Sequence, residues 1–127
     1  MQAFYDALEA LDEDAMEAVW AGRPADVCVH PGWPMTHGWQ SIRQSWRLIF
    51  ANTCYGRISL SDISMEIGGR IARVCCTENR YSVYDHGAFT NTVAATNLFV
   101  RTRDGWRLTL HHGTSVSARR LAEVEAN

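Results

Sequence analysis

His30 stands directly before Pro31, between Val29 and Trp33. An imidazole titrates near neutrality, so it can give or take a proton at physiological pH. Apolar neighbours desolvate such a ring and shift its affinity for the proton. The following proline biases His30 toward extended backbone, at the end of a short strand. His30 is therefore the first candidate for a general acid or base, and the alternative is a histidine hydrogen-bonded inside the rim of the core. A second imidazole pair, His111-His112, lies late in the chain within TLHHG. Strict alternation places His112 on the face of Trp106, Leu108 and Leu110, hence inward, and His111 on the other face. Asn97 shares a face with Val93, Ala95 and Phe99. An amide among apolar neighbours needs hydrogen-bond partners, and orienting a ligand or a histidine is one way to supply them. Tyr81, on the face of Arg73, Cys75, Thr77 and Asn79, could donate to a ligand or sit at a sheet interface.

Phe4, Trp33, Trp46 and Phe99 are the aromatic candidates for a cavity wall. Such a wall with a few placed polar groups is how small-molecule sites are built, although the same rings also make an ordinary core. Metal ligation is not expected: His30, His37, His111 and His112 lack H-E-x-x-H or any tight ligand spacing. All 12 basic residues are arginine. Without lysine, neither Schiff-base catalysis nor a Walker-type phosphate loop is available. No cofactor is expected.

These side chains need a scaffold. Residues 4–21 carry Phe4, Leu8, Leu11, Ala15 and Val19 at helical spacing, and Asp12 is placed to cap a second segment, so the run can be two helices meeting at a bend. Ala25–His30 suits a short strand, and Pro31-Gly32-Trp33-Pro34 stops it. Gly38–Asn52 reads as a helix with Trp39, Ile42, Trp46, Ile49 and Phe50 along one stripe, which must be covered. From Arg57 the period changes to two. Strands are expected over Ile58–Ile67, Arg70–Tyr84, Thr92–Thr102 and Trp106–Val116, with Gly68-Gly69 and Asp104-Gly105 as hairpin turns. The polar tail from Ala118 to Asn127 reads as a frayed helix. Helices followed by an antiparallel meander make an α+β fold, and a long twisted sheet tends to curl.

The 127 residues suit one domain, with 46% hydrophobic and 20% charged side chains. A net charge of -2 without a basic stripe argues against nucleic acid. No apolar run approaches the roughly 20 residues that a membrane span needs. The acidic start lacks a basic signal region. Four cysteines without a C-x-x-C motif suit reduced, buried thiols. A cytoplasmic location is therefore expected.

Taken in order, FYDALEALDEDAMEAVW, VCVHPGW, GWQSIRQSWRLIF and TNLFVRTRDGWRLTLHHG resemble the nuclear transport factor 2-like superfamily, in its SnoaL-like branch. The resemblance covers about residues 3–116 and extends to domains similar to the calmodulin-dependent kinase association domain. It implies a cone-shaped fold: N-terminal helices packed on a strongly curved sheet around a pocket. It also implies a homodimer formed through the sheet's outer face. Activity does not follow, because the superfamily holds isomerases, dehydratases, cyclases, epoxide hydrolases and non-catalytic binders. Against the ketosteroid isomerase branch, His30 falls where the general-base aspartate precedes a proline. Phe4 falls at the oxyanion tyrosine, and Asn97 at the protonated aspartate. All three depart from that pattern.

Two functions stay open. One is a binding domain that takes a small apolar or carbonyl-bearing molecule. The other is a cofactor-independent isomerase, dehydratase or cyclase with His30 as acid or base, helped by His112 and Asn97.

Overall fold

The computed structural model describes residues 1–116. The N-terminal run does break into two helices, α1 (Gln2–Ala10) and α2 (Glu13–Val19). Leu11 takes a left-handed conformation (φ 54°) at the break, and Asp12 then caps α2 by accepting from the Ala15 amide at 3.0 Å. The buried face comprises Phe4, Tyr5, Ala7 and Leu8 of α1, with Met16 and Trp20 around α2. The third helix, α3 (Trp39–Ala51), turns Ile42, Ser45 and Trp46 inward. Glu13 of α2 accepts from Arg43 at 2.9 Å and Arg47 at 2.8 Å, tying the two helices together at the surface.

The strands are β1 (Val27–Val29), β2 (Thr36–His37), β3 (Tyr55–Gly68), β4 (Ile71–Tyr84), β5 (Gly87–Thr102) and β6 (Gly105–Ser115). They form one six-stranded sheet in the order β2-β1-β6-β5-β4-β3. All pairs are antiparallel except β1 with β6. Gly69 (φ 60°) makes the β3–β4 turn, as the Gly-Gly signal predicts. β2 is two residues long and escapes a periodicity reading. The tail expected as a helix lies outside the described residues.

The three helices cover one face of the sheet. Ala72, Val74, Cys76 and Glu78 of β4 point into that face, as do Val93, Ala95, Asn97 and Phe99 of β5. Alternation fails in β3, where the register shifts between Ser61 and Ser64, and again in β6. Leu98 pairs with Leu110 but Phe99 pairs with Leu108, so Thr109 is an extra residue, a bulge. Leu108 and Thr109 are consecutive and both buried. Thr109 donates to Asp26 Oδ1 at 2.9 Å and accepts from Arg23 at 2.6 Å, which gives the bulged hydroxyl its partners. Beyond the bulge every side chain has changed face. His111 points inward with no exposed surface, and His112 is exposed. The expectation of an inward His112 is corrected accordingly: it extended one phase through a strand that shifts by a residue.

Candidate functional site

Five side chains from four elements form a continuous polar chain inside the core. Arg80 Nε donates to Glu78 Oε1 at 2.8 Å. The Tyr5 hydroxyl donates to Glu78 Oε2 at 2.6 Å. Asn97 Nδ2 donates to the Tyr5 oxygen at 3.1 Å, and His111 Nδ1 lies 2.6 Å from Asn97 Oδ1. Glu78, Asn97 and His111 are each at most 1% exposed, and Tyr5 is 2% exposed.

The chain fixes its own direction. Glu78 is ion-paired with Arg80, so its carboxylate accepts. Tyr5 must then donate, and its oxygen receives the Asn97 NH₂. That turns the Asn97 carbonyl to His111, whose Nδ1 must carry the proton. Burial, with the positive charge of Arg80 adding to it, lowers the His111 pKa from 6.5 to about 3, so the ring is neutral at physiological pH. A neutral ring protonated at Nδ1 has a bare lone pair at Nε2. That atom is buried and has no partner among the described residues. Its ring lies 4.8 Å from Phe4 and 6.2 Å from Trp46, centroid to centroid. The indole Nε1–H of Trp46 is likewise buried without a partner.

His30 also packs against Trp46, with ring centroids 4.5 Å apart. The Ser45 hydroxyl donates to the Ile42 carbonyl at 2.6 Å, so the 2.8 Å contact with His30 is a donation from His30 Nε2. The Cys28 thiol lies 3.6 Å from His30 Nε2 and 3.8 Å from its Nδ1. Burial, then the nearby His111 and Arg80, lower the His30 pKa to about 3. Burial also pushes the Cys28 thiol up, so it stays protonated beside the ring. His30 is thus a neutral ring whose two nitrogens both have neighbours.

The sequence candidates separate accordingly. Asn97 and His111 come together, Phe4 and Trp46 pack near His111, and His30 packs edge-on against Trp46. Trp33 is half-buried and meets His30 edge-on at 5.1 Å. Phe99 faces inward and lines an apolar recess of about 140 Å³, together with Met65, Ile67, Ala72, Val74 and Trp106. Val74 in that recess is the cross-strand partner of Asn97. Two expectations are corrected. Tyr81 is 42% exposed and lines an outer groove with Arg57, Asn79 and Thr90, because odd-numbered β4 residues face away from the helices. His112 lines another outer groove, with Cys75, Thr96 and Thr114. Among the described residues no cluster of three metal-ligating side chains occurs.

Three members of the chain, Tyr5, Glu78 and Arg80, were missed from sequence. Resemblance placed Phe4 at the tyrosine position, yet Tyr5, one residue later, reaches Asn97. Glu78 carried a signal: alternation puts it on the face of Ala72, Val74 and Cys76, where a charge needs a partner.

The SnoaL-like domain family matches residues 1–118. The chain belongs to the SnoaL-like domain family. Among solved structures, this SnoaL-like chain is similar to a protein of the NTF2-like family from Streptomyces avermitilis, provisionally assigned as a dehydratase. The two are 36% identical over 92% of this chain and 91% of that one, with a TM-score of 0.84. It is also similar to a provisionally assigned calcium/calmodulin-dependent protein kinase type II association domain from Thiobacillus denitrificans, at 29% identity, 91% coverage of each chain and a TM-score of 0.81. A ketosteroid isomerase-like protein from Erwinia carotovora atroseptica is 14% identical over 91% of this chain and 90% of that one. Its TM-score of 0.77 speaks to the fold alone. No curated protein matches. No described helix of this SnoaL-like chain is long and apolar enough to cross a membrane.

Proposed function

We propose that this SnoaL-like chain binds a small, largely apolar molecule in the interior of its cone. The observation that carries this reading is the unpartnered Nε2 of His111. A buried polar atom left without a partner costs about 1–3 kcal/mol. Here four further side chains hold the ring in the tautomer that creates that vacancy. A ligand contacting His111 supplies the missing partner, and the rings of Phe4 and Trp46 supply apolar contact. An apolar recess beside Phe99 and Val74 opens on the same face of the sheet.

Titration with phenol, followed by the Trp46 indole N–H resonance, tests the proposal. Saturable binding is expected in the wild-type protein, and weaker binding in His111→Phe. A Trp46 resonance that stays fixed up to the solubility limit of phenol would overturn the reading.

A second reading, proton transfer to or from a bound molecule, draws on the provisional dehydratase assignment of the Streptomyces avermitilis relative. In it, Asn97 orients His111 and His30 packs against Trp46, while His112 lies on the outer face. Burial keeps both inner imidazoles neutral and weakly basic, which favours binding over acid–base work. Mass analysis of a bound molecule after incubation separates the two: an unchanged molecule supports binding, and loss of water supports catalysis.

The name of the Thiobacillus denitrificans relative suggests self-association. The outer face of β3 and β4 exposes Tyr55, Ile71 and Tyr81, which would serve as a homodimer surface. Light scattering across a concentration series is expected to find a dimer, and a monomer throughout would remove this part of the proposal.

A further inference from the structure

Space for a small molecule lies at the end of the sheet where β3 turns into β4. We infer that the recess beside Phe99 holds the aromatic ring of an arylalkyl carboxylate, and that Arg107 holds its carboxylate. This rests on the proposed binding of a small, largely apolar molecule and names the place and the ligand class.

Strand register explains the room. Ile67, Ala72 and Phe99 form one row across β3, β4 and β5, and Met65 and Val74 stand in the next row. At position 72 the side chain is a single methyl group, so the space between Ile67 and Phe99 stays open. Helix α1 starts at Gln2, and Met1 before it borders the recess of about 140 Å³. Ala72, Val74 and Phe99 make a floor that is at most 6% exposed, whereas Met65 (58%) and Ile67 (60%) make an open rim. No lining side chain is charged. An apolar hollow of this size stays dry and takes a benzene-sized group. The thioethers of Met1 and Met65 and the rings of Phe99 and Trp106 favour an aromatic occupant, through sulfur–aromatic and edge contacts.

Met1, Phe99 and Trp106 also border a trough of about 530 Å³, lined on its other side by α1 and α2. A ligand with its ring in the recess can therefore extend past Trp106 into the trough. Two charged side chains line that trough, Asp6 and Arg107. Asp6 already accepts from Gln2 at 2.9 Å. Arg107 is half-buried and makes no ion pair among the described residues. Its Nη1 donates to the Trp106 carbonyl at 3.0 Å, which leaves further guanidinium N–H groups for a ligand. Arg107 follows Trp106 directly in the chain, so the charge lies beside the ring that the two cavities share. A carboxylate matches its forked donors.

The probes 3-phenylpropanoate and 3-phenylpropanamide differ in charge and little in size, and propanoate lacks the ring. Calorimetry measures binding of each to the wild-type protein, and nuclear Overhauser contacts to labelled Met and Ala methyl groups locate the ring. The phenyl acid is expected to bind saturably and to contact the Met65 and Ala72 methyls, and propanoate is expected not to saturate. The acid should bind about two- to five-fold more tightly than the amide, the factor that one half-exposed ion pair carries. That advantage should vanish in Arg107→Met and shrink with added salt. Ala72→Leu, which fills the hollow, should abolish binding of both phenyl probes. If acid and amide bind equally, or bind without contact to Met65 and Ala72, the inference fails while binding of an apolar molecule stands. If neither binds, the underlying proposal fails with it. A dimer that Ile67→Asp splits, with no ring contact from either probe, would assign the recess to a second copy and overturn the inference. The probe comparison uses wild-type protein, so the test survives a variant that does not fold.

Discussion

Acidification from pH 7 to pH 5 is expected to destabilise the folded chain by about 4 kcal/mol, from two buried histidines alone. His30 and His111 both have pKa values lowered from 6.5 to about 3 by burial. The unfolded chain therefore binds more protons than the folded one throughout that interval. Stability then rises with pH: it is fully present above about 6.5 and is lost as pH falls from there toward 3. Each ring contributes about 1.4 kcal/mol per pH unit inside the window. Against a typical total of about 5–15 kcal/mol, the loss is large. Glu13, lowered to about 2 by hydrogen bonds from Arg47 and Arg43, acts in a lower window, below 4.5. Urea unfolding at pH 7, 6 and 5 measures the effect. His30→Asn, which keeps a donor for Ser45, should roughly halve the slope. Equal stability at pH 7 and pH 5 would mean that the two rings are not held neutral.

Arg80→Met is expected to cost about 3–5 kcal/mol, because it leaves a buried carboxylate without its counter-charge. Glu78 has no exposed side-chain surface, whereas Arg80 is 20% exposed and reaches the edge of the core. The partner matters more than the pair. Replacing Glu78 by Gln in the Arg80→Met background should recover most of the lost stability, since a neutral amide needs no counter-charge and can still accept from Tyr5. A double-mutant cycle by denaturant unfolding reads the coupling. An Arg80→Met protein within about 1 kcal/mol of wild type would show that solvent or another group compensates Glu78. The direction assigned to the Tyr5–Asn97–His111 chain would then lose its anchor.

These effects trace to features that the sequence declares unevenly. The helices and hairpins were legible because their signals are local. Asp12 caps α2, the aromatic stripe of α3 repeats at helical spacing, and Gly68-Gly69 marks a turn. The parallel pairing of β1 with β6 was not legible, because its partners lie more than 80 residues apart and no local signal couples them. The bulge at Thr109 carries no glycine or proline to announce it. It arises where a threonine hydroxyl finds Asp26 and Arg23 across the fold. That one residue decides which of two adjacent histidines faces inward, so an alternation carried through β6 picks the wrong one. Asn97 was legible as an amide on an apolar face that demands partners. Those partners, Tyr5 and His111, could be found only in three dimensions. A helix buries a broad stripe, and both Phe4, the position that the resemblance pointed to, and Tyr5, which reaches Asn97, lie in it.

Long-range ¹H–¹⁵N correlation of the histidine side chains at pH 7 tests the interior arrangement most directly, with no ligand and no substitution. His111 should appear as a neutral ring with its proton on Nδ1 and a bare Nε2, and should remain so as the pH is lowered to 5. A proton on Nε2, or a doubly protonated ring within that range, would contradict the hydrogen-bond chain from Arg80 to His111 and the binding site built on it.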